Sequence, residues 1–320
     1  MIGHSLVARL CREGKTVIAH SRPSSDVRFL DRLGIRVVCC ELTNDEALHH
    51  ALKGVDCIVH LAGAVSAAAP FSANDPETQE HYRQVNIELT GRLLNAAQIN
   101  LVRRFVYCSS VSVYAPDACS PIAEDAPVRP ASDYGISKRK AEILVETAAT
   151  EGLETVIVRP CIIVGPGDRH LIRMLRALAS LPMLLIPGGG SRRIDLADVD
   201  DVSDLLWRCI TQDVAVGRVY NATSGTPMAI SRIAAMLPDQ FKLGPILPIP
   251  HIVFQRASRL LRPYVGERLP EIAPLFGDVG IAYLKNDVVF DISRARRELG
   301  FKPAGQVGAA VARALHESKL

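Results

Sequence analysis

Along the first half of the chain, short apolar runs rich in Val and Ile alternate with longer stretches in which apolar residues recur every three or four positions. The runs Thr16–Ala19, Arg36–Cys40, Cys57–Leu61, Arg104–Cys108 and Thr155–Val158 read as buried parallel strands. Between them, Gly3–Arg12, Asp26–Leu33, Asp45–Leu52, Gln79–Gln98 and Tyr134–Thr150 read as helices. Asp45 is an acid at a helix start, preceded by Thr43 and Asn44 as capping candidates. Gly14, Gly34, Gly54 and Gly152 stand where helices should end. Repeated strand–helix alternation predicts βαβ units, and so an α/β fold with a doubly wound parallel sheet.

From Gly165 the pattern changes. Pro and Gly become common and the alternation turns irregular, with helical segments at Asp168–Ser180, Asp198–Thr211 and Ile230–Leu237. This predicts one unit over 1–165 and a smaller, partly interleaved region over 166–320, with 198–225 returning to the first unit. Such a second region is expected to form the far wall of a pocket. Its apolar stretch from Leu243 to Leu261, with Phe254, Leu260 and Leu261, suits either a hydrophobic substrate or an ordinary core-packing helix.

Composition adds boundaries. The 320 residues are 48% hydrophobic and 22% charged, as in an ordinary globular protein, and the net charge is only +3. Basic residues are scattered apart from short clusters such as Arg294, Arg296 and Arg297, which read as a solvated helix face, so no nucleic-acid partner is expected. Eight cysteines occur without a CxxC pair. They read as buried free thiols of a reducing compartment, with the adjacent Cys39 and Cys40 facing opposite ways. The nine histidines show no ligand spacing, so no metal is expected. No signal peptide opens the chain and no apolar run reaches transmembrane length, which makes a cytoplasmic protein without a membrane span the expectation.

The start of the chain is unusual for a doubly wound domain. Such a domain opens with a strand and a Gly-rich turn, whose glycines let the backbone approach a pyrophosphate at a helix N-terminus. Met1-Ile2-Gly3-His4-Ser5-Leu6-Val7 resembles the end of a G-x-x-G-x-x-G turn, with Gly3 alone remaining. Either the start site is assigned too late or the chain is shortened; the first is the expectation. A missing central strand would leave its neighbours' backbone groups without ladder partners.

The sharpest local signal is Tyr134-Gly135-Ile136-Ser137-Lys138. At the start of a helix, Tyr134 and Lys138 share a face. A phenol ordinarily titrates near pH 10, and a nearby ammonium would lower that value and suit Tyr134 to proton exchange with an alcohol or carbonyl. Lys138 could also hold ribose hydroxyls. The spacing alone is common, so its context matters. Phe105–Ser110 reads as a buried strand ending in two serines, and Ser110 at the C-terminal edge could hydrogen-bond a substrate oxygen or merely cap a turn. Leu61, Ala62 and Gly63 end an earlier strand with small residues past which a cofactor could run. His60 reads as a packed core residue.

Taken in order, these segments resemble the extended short-chain dehydrogenase/reductase family, the NAD-dependent epimerase/dehydratase group. The resemblance runs through VDCIVHLAG at 55–63, VNIELTGRLLNAA at 85–97, FVYCSSVSVY at 105–114, YGISK at 134–138, VRPCIIVGPGD at 158–168, VDDV at 199–202 and FDISRARRELGFKP at 290–303. It implies a Rossmann-like NAD(P)-binding domain, a small-molecule substrate, and Ser110, Tyr134 and Lys138 as catalytic residues. It sets Gly3, Leu61, Ala62, Gly63, Asn86, Tyr134, Lys138 and Pro160 at the cofactor, Pro160 near the nicotinamide, and Glu41 and Leu42 near the adenine. After the second family strand, Ser21 and Arg22 stand where an acid would favour NAD, so NADP is favoured slightly over NAD.

The same resemblance narrows the reaction. Val111 and Ser112 stand where dehydratases carry an acid pair, which argues against dehydration. Ile194 stands where nucleotide-sugar epimerases place a diphosphate-binding arginine, although Arg192 and Arg193 are close. The run from Arg193 to Val202 is similar to the 3β-hydroxysteroid dehydrogenase and dihydroflavonol reductase branch. The reading is a hydride-transferring oxidoreductase acting on a secondary alcohol or ketone. A nucleotide-sugar epimerase with tightly held NAD and a non-catalytic cofactor-binding protein remain alternatives, and a homodimer through 79–98 and 134–150 is a weak expectation.

Overall fold

The computed structural model describes residues 1–23, 25–40, 44–65 and 76–317. The chain opens with α1 (Ile2–Arg12), β1 (Ile18–Ser21), α2 (Arg28–Arg32), β2 (Arg36–Cys39), α3 (Asp45–Leu52) and β3 (Cys57–His60). It continues with α4 (Pro76–Tyr82), a π-turn over Arg83–Glu88, α5 (Leu89–Ile99), β4 (Arg104–Cys108), α6 (Asp133–Thr150) and β5 (Glu154–Pro160). The α/β alternation is therefore present, and its central sheet is parallel.

Strand β4 shows why these segments pack as they do. Every residue of it is buried, and successive side chains serve opposite faces. Phe105 and Tyr107 meet Leu93, Ala97 and Val145 of α5 and α6. Val106 meets Leu6 of α1 and the apolar residues of the opposite layer. Strand β3 pairs β4 from Cys57↔Arg104 to His60↔Tyr107, and β5 pairs β4 from Arg104↔Glu154 to Cys108↔Val158.

Beyond β5 come β6 (Ile162–Val164), α7 (Arg169–Ala179), β7 (Leu184–Pro187), β8 (Arg193–Ile194), β9 (Leu196–Asp198) and α8 (Val199–Thr211). Then follow β10 (Val219–Ala222), β11 (Met228–Ala229), α9 (Ile230–Ala235), β12 (Ile246–Ile249), α10 (His251–Arg268), α11 (Asp278–Lys285), α12 (Ser293–Leu299) and α13 (Val307–Glu317). Strand β10 joins the far side of β5, giving the four-stranded order β10-β5-β4-β3. The smaller cluster beyond Gly165 forms where Ile172, Leu175, Phe241, Val307 and Val311 meet.

Strands β1 and β2 form a separate parallel pair. Among the described residues, β1 pairs with β2 alone and β3 with β4 alone, so each carries a ladder on one side. Helix α1 touches both pieces. Leu6 is buried against the larger sheet, and the His4 ring stacks on Phe29 of α2 at 4.5 Å.

Several expected boundaries shift. The first strand begins at Ile18 rather than Thr16, because Lys15 still donates its N–H to the Leu10 carbonyl in closing α1. The single helix expected over Gln79–Gln98 is broken by the π-turn, which turns Asn86 into the core. Helix α2 covers only Arg28–Arg32, since Asp26 spends its carboxylate on the Arg28 N–H. The Leu243–Leu261 stretch divides into β12 and the start of α10, where Phe254 is buried but Leu260 is 81% exposed, so Leu260 is not core. All eight cysteines are free, yet only Cys108, Cys161 and Cys209 are buried, while Cys39 and Cys119 are exposed. Asn44 caps α3 by accepting the Ala47 N–H at 3.0 Å; Thr43, Glu41 and Leu42 lie outside the described residues. Among the described residues, no helix is long and apolar enough to cross a membrane, and no His, Cys, Asp and Glu cluster is arranged to hold a metal.

Candidate active site

The C-terminal ends of parallel strands open toward one edge, where loops and helix starts converge. At the end of β4, Ser109 donates its N–H to the Val158 carbonyl at 2.7 Å, and Ser110 leaves the sheet in extended conformation. The Ser110 hydroxyl accepts the Ser112 N–H at 3.1 Å and so caps the turn Val111–Val113. It also faces the phenol of Tyr134 closely enough to favour its ionised form. Pro160, buried at the end of β5, stands level with Ser110, two residues beyond the Cys108↔Val158 pair.

Tyr134 is the second residue of α6, which starts sharply because Ser132 accepts the Gly135 N–H at 3.1 Å. Gly135 permits the approach of α6 to the 110–113 turn. A Cβ there would fall onto the Ser112 carbonyl oxygen and come within 3.0 Å of Pro130. Tyr134 packs against the buried Tyr82, ring centroids 5.9 Å apart, with Ala64 beside them.

One turn further, Lys138 is only 4% exposed. Its ammonium donates to the Cys108 carbonyl at 2.9 Å and lies 4.9 Å above the centre of the Tyr107 ring. Burial pushes the lysine below its ordinary pKa, offset in part by Cys108 and Glu142. Burial pushes the Tyr134 phenol well up, Cys108 and Tyr82 add to this, and the Ser110 hydroxyl draws it partly back. Burial dominates and keeps Tyr134 protonated.

Asn86 ties the strand ends to α6. Its Oδ1 accepts the Ala64 N–H at 2.7 Å, and its Nδ2 donates to the Ala64 carbonyl and to Ser137 Oγ at 2.9 Å. Ser137 in turn donates to the Tyr134 carbonyl at 2.7 Å. His60 bonds Thr90 at 2.9 Å, and burial, with a lesser push from Lys138, lowers its pKa to about 3. It is a neutral core residue. The roles of Ser137, Ala64, Tyr82 and Gly135 were not assigned from sequence. Ser137, three positions after Tyr134 on the same helical face, carried the one visible signal.

Gly63 leaves a cradle that a side chain would fill. A Cβ there would sit 3.2 Å from Lys138 Nζ and 3.4 Å from Asn86 Oδ1. Leu61 lies within 3.9 Å of the Cβ position at Gly3, so α1 begins beside the end of β3. Ala62 is exposed on the same strand end. A bare backbone, a buried cation and a helix N-terminus beside one another fit the sugar and phosphate groups of a dinucleotide. Arg22 follows β1 on the two-stranded piece and is exposed. Glu41 and Leu42 lie outside the described residues.

The family model described as NAD dependent epimerase/dehydratase family matches residues 1–223. Sterol demethylase protein B of Methylococcus capsulatus is 29% identical over 310 residues, covering 94% of this chain and 90% of that protein. A 2-alkyl-3-oxoalkanoate reductase of Stenotrophomonas maltophilia is 26% identical over 317 residues, covering 94% and 92%. Among solved structures, UDP-glucuronic acid 4-epimerase from Bacillus cereus in complex with NAD superposes with a TM-score of 0.76 at 18% identity, covering 100% of this chain and 95% of that one. This likeness establishes the shared fold.

Proposed function

Because this chain belongs to the NAD dependent epimerase/dehydratase family, we propose that it is a reductase that interconverts a ketone and a secondary alcohol. The observation that carries this reading is the phenol of Tyr134, buried at the strand ends beside Tyr82 and Ala64, on the helix turn that Gly135 lets approach residues 110–113. Protonated, Tyr134 donates a proton to a carbonyl oxygen. Ser110 hydrogen-bonds the same oxygen and orients it. Lys138 lies within reach of the Gly63 cradle and of Asn86, where it binds ribose hydroxyls. A bound nicotinamide cofactor supplies the hydride.

Gly3, Leu61, Ala62, Gly63, Asn86, Lys138 and Pro160 would hold that cofactor. Arg22, exposed after β1 with no acid from Ile18 to Pro23, supports a 2′-phosphate and hence NADP. The reductase of Stenotrophomonas maltophilia, named for a 2-alkyl-3-oxoalkanoate, supports a ketone bearing apolar substituents as the substrate class. Residues 1–165 with 198–225 form the cofactor side in this reading, and the rest of 166–320 the substrate side. Ile136 and Ile143, exposed seven residues apart on α6, support pairing of two chains through that helix.

The test is Tyr134→Phe in the purified protein, following oxidation of added NADPH with a panel of 3-oxo acids and their esters. Turnover should fall by about 10²–10⁴-fold while the melting temperature holds. Equal turnover in the variant would refute the assignment.

A further inference from the structure

Helix α10 turns one face to the protein and leaves the other uncovered. Phe254, Ser258 and Val265 are buried on the inner side. Val253, Leu260 and Tyr264, spaced by seven and four residues, line one outer stripe and are 51%, 81% and 55% exposed. The neighbouring ribbon adds to this surface. Leu185 of β7 and Leu247 of β12 are cross-strand partners, 48% and 43% exposed, and α10 packs against β7. An exposed apolar stripe of this kind marks a place where something binds.

The charges beside the stripe identify the occupant. Helix α10 carries four arginines against one acid, Glu267. Arg256 and Arg259 lie exposed along the edge of the apolar stripe. Among the described residues neither they nor Arg262 form an ion pair. A leucine and a valine flanked along one edge by arginines without ion pairs match a surface that is apolar within and anionic outside. A nucleic acid would neutralise the arginines but leave Leu260 and Val253 in water.

We propose that the outer face of α10, with the β7–β12 ribbon beside it, is a docking surface for an anionic lipid bilayer. The helix, about 27 Å long, lies in the plane of the interface with Val253, Leu260 and Tyr264 in the acyl boundary. Arg256 and Arg259 contact lipid phosphates. The charged residues along α10 rule out spanning. Tyr264, stacked under Arg268 at 5.0 Å, places a ring with a polar tip at the headgroup level.

The test is co-sedimentation of the full chain with vesicles of phosphatidylcholine alone or mixed with phosphatidylglycerol. The mixed vesicles should pellet the protein and the neutral ones should not, with binding falling as salt rises. Arg256→Gln with Arg259→Gln should weaken partitioning by about thirtyfold. Leu260→Ser should weaken it by about tenfold or more. All these side chains are exposed, so thermal unfolding should be unchanged. The proposal is overturned if mixed vesicles do not bind, or if neither variant changes binding. It is also overturned if the chain sediments as a dimer that Leu260→Ser splits, because a second copy then covers the face.

Discussion

Replacing Gly135 with alanine sets two effects of known size against each other. In a helix interior, glycine to alanine stabilises by about 1 kcal/mol. At this position a Cβ would land on the Ser112 carbonyl oxygen, with Pro130 pressing at 3.0 Å. The obstacle is backbone, so no rotamer change relieves it. Overpacking of this kind costs about 1–3 kcal/mol, which leaves a net loss of roughly 0–2 kcal/mol. The catalytic consequence is larger. Relief requires α6 to move away from the 110–113 turn by about 1 Å, which separates Tyr134 from Ser110 and should lower kcat/KM by about a hundredfold. Urea unfolding measures the first quantity, and NADPH oxidation with a ketone that the unaltered chain turns over measures the second. Gly91→Ala in α5 is the control, because its Cβ would meet only Leu144 at 3.7 Å, an ordinary contact. That variant should gain about 1 kcal/mol and keep full activity. If Gly135→Ala behaves like Gly91→Ala, close approach of α6 is not what places Tyr134.

Three further outcomes follow from the same structure. Glu142, fully buried, accepts both Nε and Nη2 of Arg159 at 2.8 Å. Glu142→Ala strands a buried guanidinium and should cost about 3–5 kcal/mol in urea unfolding; a loss below about 1 kcal/mol would mean that the arginine finds another partner. Asp195 is 2% exposed, its Oδ2 accepts the Phe290 N–H at 2.8 Å, its Oδ1 has no partner, and burial pushes the carboxyl up to about 6. The folded chain thus holds this proton more tightly than the unfolded one, so the stabilisation is complete below about pH 4 and is lost as pH rises through about 6. The stability of Asp195→Asn relative to wild type should therefore rise by about 3 kcal/mol across that window. Working from this difference removes the opposite trend of His60, which loses stability as pH falls from about 6.5; a flat difference would show that Asp195 does not titrate there. Finally, a reductase that exchanges free cofactor should leave purification without it, so protein denatured in acid should release no NAD in stoichiometric amount. One NAD per chain would instead favour an epimerase that regenerates its own cofactor.

The fold was legible wherever an apolar run was continuous and bounded. Strand β4 and helix α3 fall on their expected residues, because a fully buried strand and an Asn-capped amphipathic helix each announce both ends. The π-turn at Arg83–Glu88 was not legible. Its periodicity differs from an α-helix by a fraction of a residue per turn, and the Ala64 N–H that Asn86 accepts from within it lies 22 residues away in sequence. Ser110, Tyr134 and Lys138 could be named from order and spacing. The electrostatics could not, because a helical spacing says that Lys138 shares a face with Tyr134 but not that its ammonium turns to Cys108. Nor could the exposure of Leu260, since the same apolar stretch serves a core or a surface equally well.

Arg22 rides on the β1–β2 pair, while Ser110 and Tyr134 belong to the β3-β4-β5-β10 sheet, with helix α1 touching both through His4 and Leu6. If Arg22 selects the cofactor and Tyr134 serves the substrate, as proposed, the two tasks reside on separately hydrogen-bonded pieces. No hydrogen bond or ion pair among the described residues joins Arg22 to Tyr134, so the free energies of changes at these two residues should add when combined. On that reading, drift around β1 would exchange one nicotinamide currency for another without touching Tyr134.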